Sequence, residues 1–232
     1  MQTKIFHIKA CHNLPPDPNW REQLINLLGS KPRRLSSWCE LGMYGALKCL
    51  NNSEQIPASD ISLFATTLPH AAIPATTRLP TPQIPINRLS SEVSLRVFSE
   101  YGTIAATRSA LGQACEYLPM PFTFMQTQPG QLFNALGTTL GWHGDGYSTT
   151  YENRQQGEVA LLNSFKQSAL LAWVDEEREL ISRWIWLEEA TLSPKANEFN
   201  ELKWQVVESI FQTSGVARWL KVDATQHIFA AL

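Results

Sequence analysis

A chain of 232 residues that is 44% hydrophobic and 17% charged can bury one substantial core, and nothing in it calls for a second full domain. Its formal net charge of -2 and pI near 6.2, with Lys and Arg scattered along the chain, leave no electrostatic footprint for nucleic acid. The opening MQTKIFHIKACHNLPP lacks the parts of a signal peptide and no apolar run approaches a membrane span, so a soluble cytoplasmic protein is expected. The four cysteines, Cys11, Cys39, Cys49 and Cys115, are widely spaced with no CxxC pair. Neither a zinc site nor a disulfide framework is indicated, and reduced thiols with Cys39 and Cys49 in a core are expected.

In chain order, KIFHIKA alternates as a strand does and LPPDPNW breaks it; residues 20–28 read as a short helix. A longer helix starts at Ser37, where Ser37 and Glu40 have capping-box spacing and Cys39, Met43, Leu47 and Leu50 recur on one face. ISLFATT at 61–67 is strand-like. Pro69, Pro74, Pro80, Pro82 and Pro85 then mark 66–90 as a surface excursion, long for a structureless connection and of the kind that is functional or mobile. SLRVFSEYG reads as a strand and 102–114 as a helix with Ile104, Leu111 and small alanines inward.

The stretch from Phe122 to Asp175 is the centre of the chain. FTFMQT has the aromatic and β-branched content of a strand, and Pro129 stands where a first helical residue belongs, opening a helix to about Leu140. Gly141, Gly144 and Gly146 form a glycine-rich turn, YSTTY a short strand, and Glu152 to Gln156 a polar corner. GEVALLNSF suits a helix packed on a sheet, and ALLAWV a strand buried on both faces. Strand, sharp corner and buried helix form the geometry with which many α/β enzymes present a nucleophile. Here glutamine occupies the corner.

LISRWIWLEEATL has the alternation of a long, partly exposed strand. Ser193 and Pro194 open a helix with Phe199, Leu202, Val206 and Ile210 on one face and Gly215 as its stop, and ARWLKV closes as a strand, so 194–232 is a helix and strand extension. The mostly alternating order predicts an α/β fold, a layered mixed sheet flanked by helices.

His143, Asp145 and Ser148 in WHGDGYS admit two readings, a hydrolytic triad or a polar turn; residues so close on one turn and strand rarely converge on one atom, which favours the turn. A metal site from His143, Asp145 and Glu152 matches no established ligand spacing. His7, His12 and His70 have ordinary strand, loop and proline-rich contexts. Tryptophans such as Trp173, Trp184 and Trp186 suit a core or a subunit interface.

Three stretches carry a resemblance. RRLSSWCELGMYGALKCL resembles the first long helix of the β-ketoacyl synthase N-terminal region, VFSEYGTIAATRSAL the strand and helix that follow, and FTFMQTQPGQLFNALGTTLGWHGDGYSTTYENRQQGEVALL the passage to the nucleophile elbow. Their order and spacing agree with the chain length factor branch of that thiolase-like superfamily. The resemblance implies one thiolase-like half over 1–232. Condensing members carry Thr-Ala-Cys at the elbow, whereas the matching place here is Gln155, or Gln156 one residue on; chain length factors are similar in having glutamine there. An amide cannot become the nucleophile that a thiolate supplies, and the second half, with its two catalytic histidines, has no counterpart in the sequence. The implied role is a non-condensing subunit beside an active ketosynthase and an acyl carrier protein in polyketide or fatty-acid-type biosynthesis. Phe133 and Leu136 would limit room for the acyl chain, with no metal or nucleotide cofactor. A homodimer imitating the two-half subunit is also compatible. Two other classes stay open: an adaptor using the proline-rich excursion and the tryptophan-rich C-terminal third, and a small hydrolase using His143 and Ser148.

Overall fold

The computed structural model describes residues 3–53, 89–116, 120–190, 203, 205–213, 217–223 and 225–231. The expected strand at 61–67, the body of the 66–90 excursion, and Phe199 and Leu202 lie outside the described residues.

Strands β1 (Lys4–His12), β2 (Val93–Ser99), β3 (Gly146–Thr150), β4 (Ser168–Asp175), β5 (Ile181–Glu189), β6 (Gln205–Val206), β7 (Trp219–Val222) and β8 (Ile228–Ala231) form one mixed sheet in the order β3-β2-β4-β5-β1-β7-β8-β6. β3, β2 and β4 run parallel, and the other pairings are antiparallel. Against one face lie α1 (Trp20–Leu28), α2 (Ser37–Ser53) and α5 (Gly130–Leu140); against the other lie α6 (Arg154–Asn163) and the short α7 (Ile210–Thr213). This is the expected layered α/β architecture.

β4 explains the layering. Its alternation sends Leu170, Ala172 and Val174 to the α2 side and Ala169, Leu171 and Trp173 to the α6 side, all buried, so both faces need a helical cover. The same alternation runs through β1 until a bulge at Ile8/Ala10. Phe6 and Ile8 face the α6 side, but the extra residue returns Ala10 to the α2 side. Buried indoles are satisfied by backbone: Trp38 Nε1 donates to the Val174 carbonyl at 3.0 Å and Trp142 Nε1 to that of Val93 at 2.8 Å.

Several expectations shift. FTFMQT is helical, as α4 (Pro121–Gln126): Pro121 follows an extended Met120, and the amides of Thr123 and Phe124 bond back to the Met120 carbonyl. Aromatic content favours a strand only where an edge is available to pair with. α3 (Ile104–Cys115) forms as expected, but it packs on α4, buries no residue, and leaves Leu111 61% exposed. The cap of α2 is Ser36, whose Oγ accepts from Cys39 N at 3.1 Å, while Ser37 accepts from Arg21 at 2.7 Å. Pro129 is the residue before α5. β5 is interior to the sheet order and keeps an exposed Glu188 near its end, as expected of a long, partly exposed strand. Val206 belongs to strand β6, paired with Phe229 and 69% exposed, so the helix expected through 206–210 does not form there. β7 and β8 continue the sheet beyond β1. Trp184 is fully buried and Trp173 nearly so, which makes them core residues.

Two consequences can be measured. At Gly45 an added Cβ would overlap the Ser182 hydroxyl and meet the Trp184 ring at 2.5 Å. Gly45→Ala should therefore cost about 1–3 kcal/mol in urea unfolding by overpacking α2 on β5. His12 is buried edge-on to Tyr44, and burial, reinforced by Lys48, lowers its pKa to about 4. The unfolded chain binds more protons below about pH 6.5, so this residue's contribution is full above that value and is lost as pH falls toward 4. His12→Phe should flatten the fall in stability over that window.

Candidate functional site

The corner between β3 and α6 is built by fixing one face of a helix and presenting the other. β3 is an edge of the sheet, paired with β2 on one side only among the described residues. The chain leaves it through Tyr151 and Glu152 to Asn153, whose Oδ1 caps α6 by accepting from Gln156 N at 3.2 Å. Gly157 lies so near β2 that a Cβ would stand 2.6 Å from the Phe98 ring. Beside it Glu158 is fully buried, accepting from Ser209 Oγ at 2.6 Å and from Ile210 N at 2.9 Å. Burial raises its pKa against these hydrogen bonds and Arg154. Arg154 reaches Glu158 at 3.7 Å and stacks 5.1 Å over Trp173. With Arg154, Gly157 and Glu158 committed inward, Gln155 and Gln156 are left exposed on the first turn.

Gln155 lines a cleft of about 680 Å³ with Glu100, Glu152, Arg154 and the segment from Val206 to Glu208. It lies at the carboxyl ends of β2 and β3, where open α/β sheets hold ligands. The turn after β2 is held by the buried Asp175. Its carboxylate accepts from Ser99 Oγ at 2.5 Å, from the amides of Glu100 and Tyr101, and from Trp173 Nε1 at 2.6 Å. Sequence reasoning missed Asp175 and Glu158 as organisers of the corner. A carboxylate ending a fully apolar strand, and another inside an apolar helix, were the available signals.

Among the described residues, none lining this cleft carries a thiol, hydroxyl or imidazole. The buried thiols lie elsewhere, on α2, and burial pushes Cys39 up to about 11 and Cys49 higher still, so neither supplies a thiolate.

Phe133 and Leu136 are not beside Gln155. Leu136 is fully buried in the core shared by α2 and α5, leaving it no free space to border. Phe133 is half-buried and borders a second cleft of about 560 Å³ with Trp142, His143, Gly144 and Gly146. That cleft is at the amino end of β3 and Gln155 is beyond its carboxyl end.

His143, Asp145 and Ser148 do not form a triad. The Asp145 carboxylate is ion-paired to the buried Arg96, which also donates to the Asp145 carbonyl at 2.9 Å and to Ser164 Oγ at 3.0 Å. The β3 register places Ser148 beside Val97 on the α5 side, whereas Asp145 meets Arg96 on the other. His143 is exposed and hydrogen-bonds to neither. Among the described residues no group of three metal-ligating side chains forms, the His143, Asp145 and Glu152 set included, and no helix is long and apolar enough to cross a membrane.

The architecture is thus a mixed α/β sheet covered on both faces, with a capped strand-to-helix corner that offers glutamine. No family model matches the chain, and no curated protein does. Among solved structures, the chain is similar to one from a ketosynthase in complex with its chain length factor from Xenorhabdus doucetiae. They are 13% identical, with 100% of this chain and 99% of that one covered and a TM-score of 0.47.

The corner's anchor can be tested without a ligand. A carboxyl whose pKa is raised on folding holds its proton more tightly in the native state, so stability falls as pH rises above the ordinary carboxylate value. Glu158→Gln should reduce that fall while keeping an acceptor for Ile210 N. Glu158→Ala, which removes the acceptor of the Ile210 amide, should lose about 1–3 kcal/mol at neutral pH by denaturant titration.

Proposed function

We propose that this chain is a ketosynthase-like subunit of the chain length factor type, without condensing activity of its own. It acts in the cytoplasm beside an active ketosynthase and an acyl carrier protein in polyketide or fatty-acid-type biosynthesis. The observation that carries the reading is Gln155: the first turn of α6 offers a neutral amide to the cleft at the carboxyl ends of the parallel strands. Carbon–carbon bond formation by acyl transfer needs a nucleophile there, and an amide cannot serve. The partner ketosynthase supplies the cysteine and this chain supplies shape.

Among the described residues the outer edge of β3 has no strand partner, which supports a docking face, and Tyr147 is 51% exposed on it. Phe133 packs beneath Gly146 on that edge, 3.0 Å from where a Cβ would sit. In this reading Phe133 limits the acyl chain from the rim of the interface, and Leu136 acts behind it by holding α5 in place.

With the complex assembled, Phe133→Trp should shorten the partner's product and Phe133→Ala lengthen it, read by mass spectrometry of the released acyl chains. Product lengths that ignore both changes while the subunits still co-elute would count against the proposal.

A further inference from the structure

The loop joining α1 to α2 and the outer surface of α5 enclose a cleft of about 770 Å³ that shares no residue with the corner. Its floor is apolar, made by Leu28, Leu35, Met43 and Ala135. Its rim carries Lys31 and Arg33, faced across the cleft by the hydroxyl-bearing Thr138 and Thr139 of α5. The volume is within the range of small-ligand sites, which combine an apolar lining with a few polar groups.

Among the described residues Lys31 and Arg33, both exposed, have no carboxylate partner. Next to them Arg34 has φ 65, a left-handed conformation unfavourable for a side chain of its size, and its guanidinium stacks 4.6 Å over Phe122. Consecutive arginines are thereby sent to different places, Arg34 onto α4 and Arg33 to the cleft rim. Backbone strain kept at this point has a use if the rim must be cationic.

We propose that this cleft binds a small amphiphilic anion, a carboxylate or phosphate head on a short apolar chain. Lys31 and Arg33 take the head by charge-assisted hydrogen bonds, and Leu28, Leu35, Met43 and Ala135 cover the chain. A bare inorganic anion would leave the floor unused, and a neutral lipid would leave two cations without a role. The site stands apart from Gln155 and the β3 edge, and it does not rest on the ketosynthase-like reading.

Calorimetric titration of the full chain with octanoate, octyl phosphate, octanol and inorganic phosphate tests it. One or both amphiphilic anions should bind at least about tenfold more tightly than octanol or inorganic phosphate, and whichever binds better identifies the head group. Lys31→Ala/Arg33→Ala should weaken that binding about tenfold or more, and Ala135→Phe, which fills the floor, should weaken it while leaving the cations in place. Both variants change residues outside the fully buried core, and an unchanged urea midpoint establishes that they fold. Octanol binding as tightly as the anions, equal binding by the double variant, or no binding of either anion would overturn the proposal.

Discussion

The fold depends on one strand having to stay dry on both sides. β4 presents Leu170, Ala172 and Val174 to α2 and Ala169, Leu171 and Trp173 to α6 and α7, with no polar face to give to water. Such a strand is stable only between two layers, and its parallel neighbour β2 shares the requirement. The buried polar groups serve that arrangement. Ser182 accepts from Trp184 and donates to the Leu41 carbonyl between β5 and α2, and Asp175 ends β4 by collecting the turn that follows β2. Ser182 and Asp175 both have hydrogen-bond partners, which ties the covered sheet to the elements around it.

The corner is a local result of that global constraint. Because β2 is sealed by Phe98, α6 can approach only through a glycine, and Gly157 is that residue. Because α6 is seated so closely, Glu158 is carried into the interior and needs the Ser209 hydroxyl and the Ile210 amide. The face opposite these contacts is the one that reaches the cleft. A helix held this firmly presents Gln155 in a fixed place.

Much of this was legible in the amino acids. The long apolar run ALLAWV, the alternation of KIFHIKA and the glycine-bounded YSTTY became β4, β1 and β3, and the corner fell between YSTTY and GEVALLNSF as read. What escaped were features decided by tertiary neighbours. FTFMQT has strand-type residues, yet it pairs with no described strand and coils behind Pro121, where the amides of Thr123 and Phe124 bond back to Met120. Val206 fits a helical spacing with Ile210, yet Phe229 offers it a strand partner. Spacing placed Phe133 and Leu136 on α5 but could not tell that one borders a cleft and the other is sealed in the core. The pairing of Asp145 with Arg96, 49 residues apart, removed the apparent triad and had no local signature.

The central claim is that this chain contributes a non-nucleophilic corner to an assembly whose chemistry lies in a partner. Its most direct test is affinity purification of the tagged chain from its native cells, with mass spectrometry of the co-purifying proteins and light scattering for stoichiometry. The account predicts recovery, in a defined ratio, of a ketosynthase with an intact nucleophilic cysteine. A lone monomer or homodimer that condenses acyl thioesters by itself would contradict it.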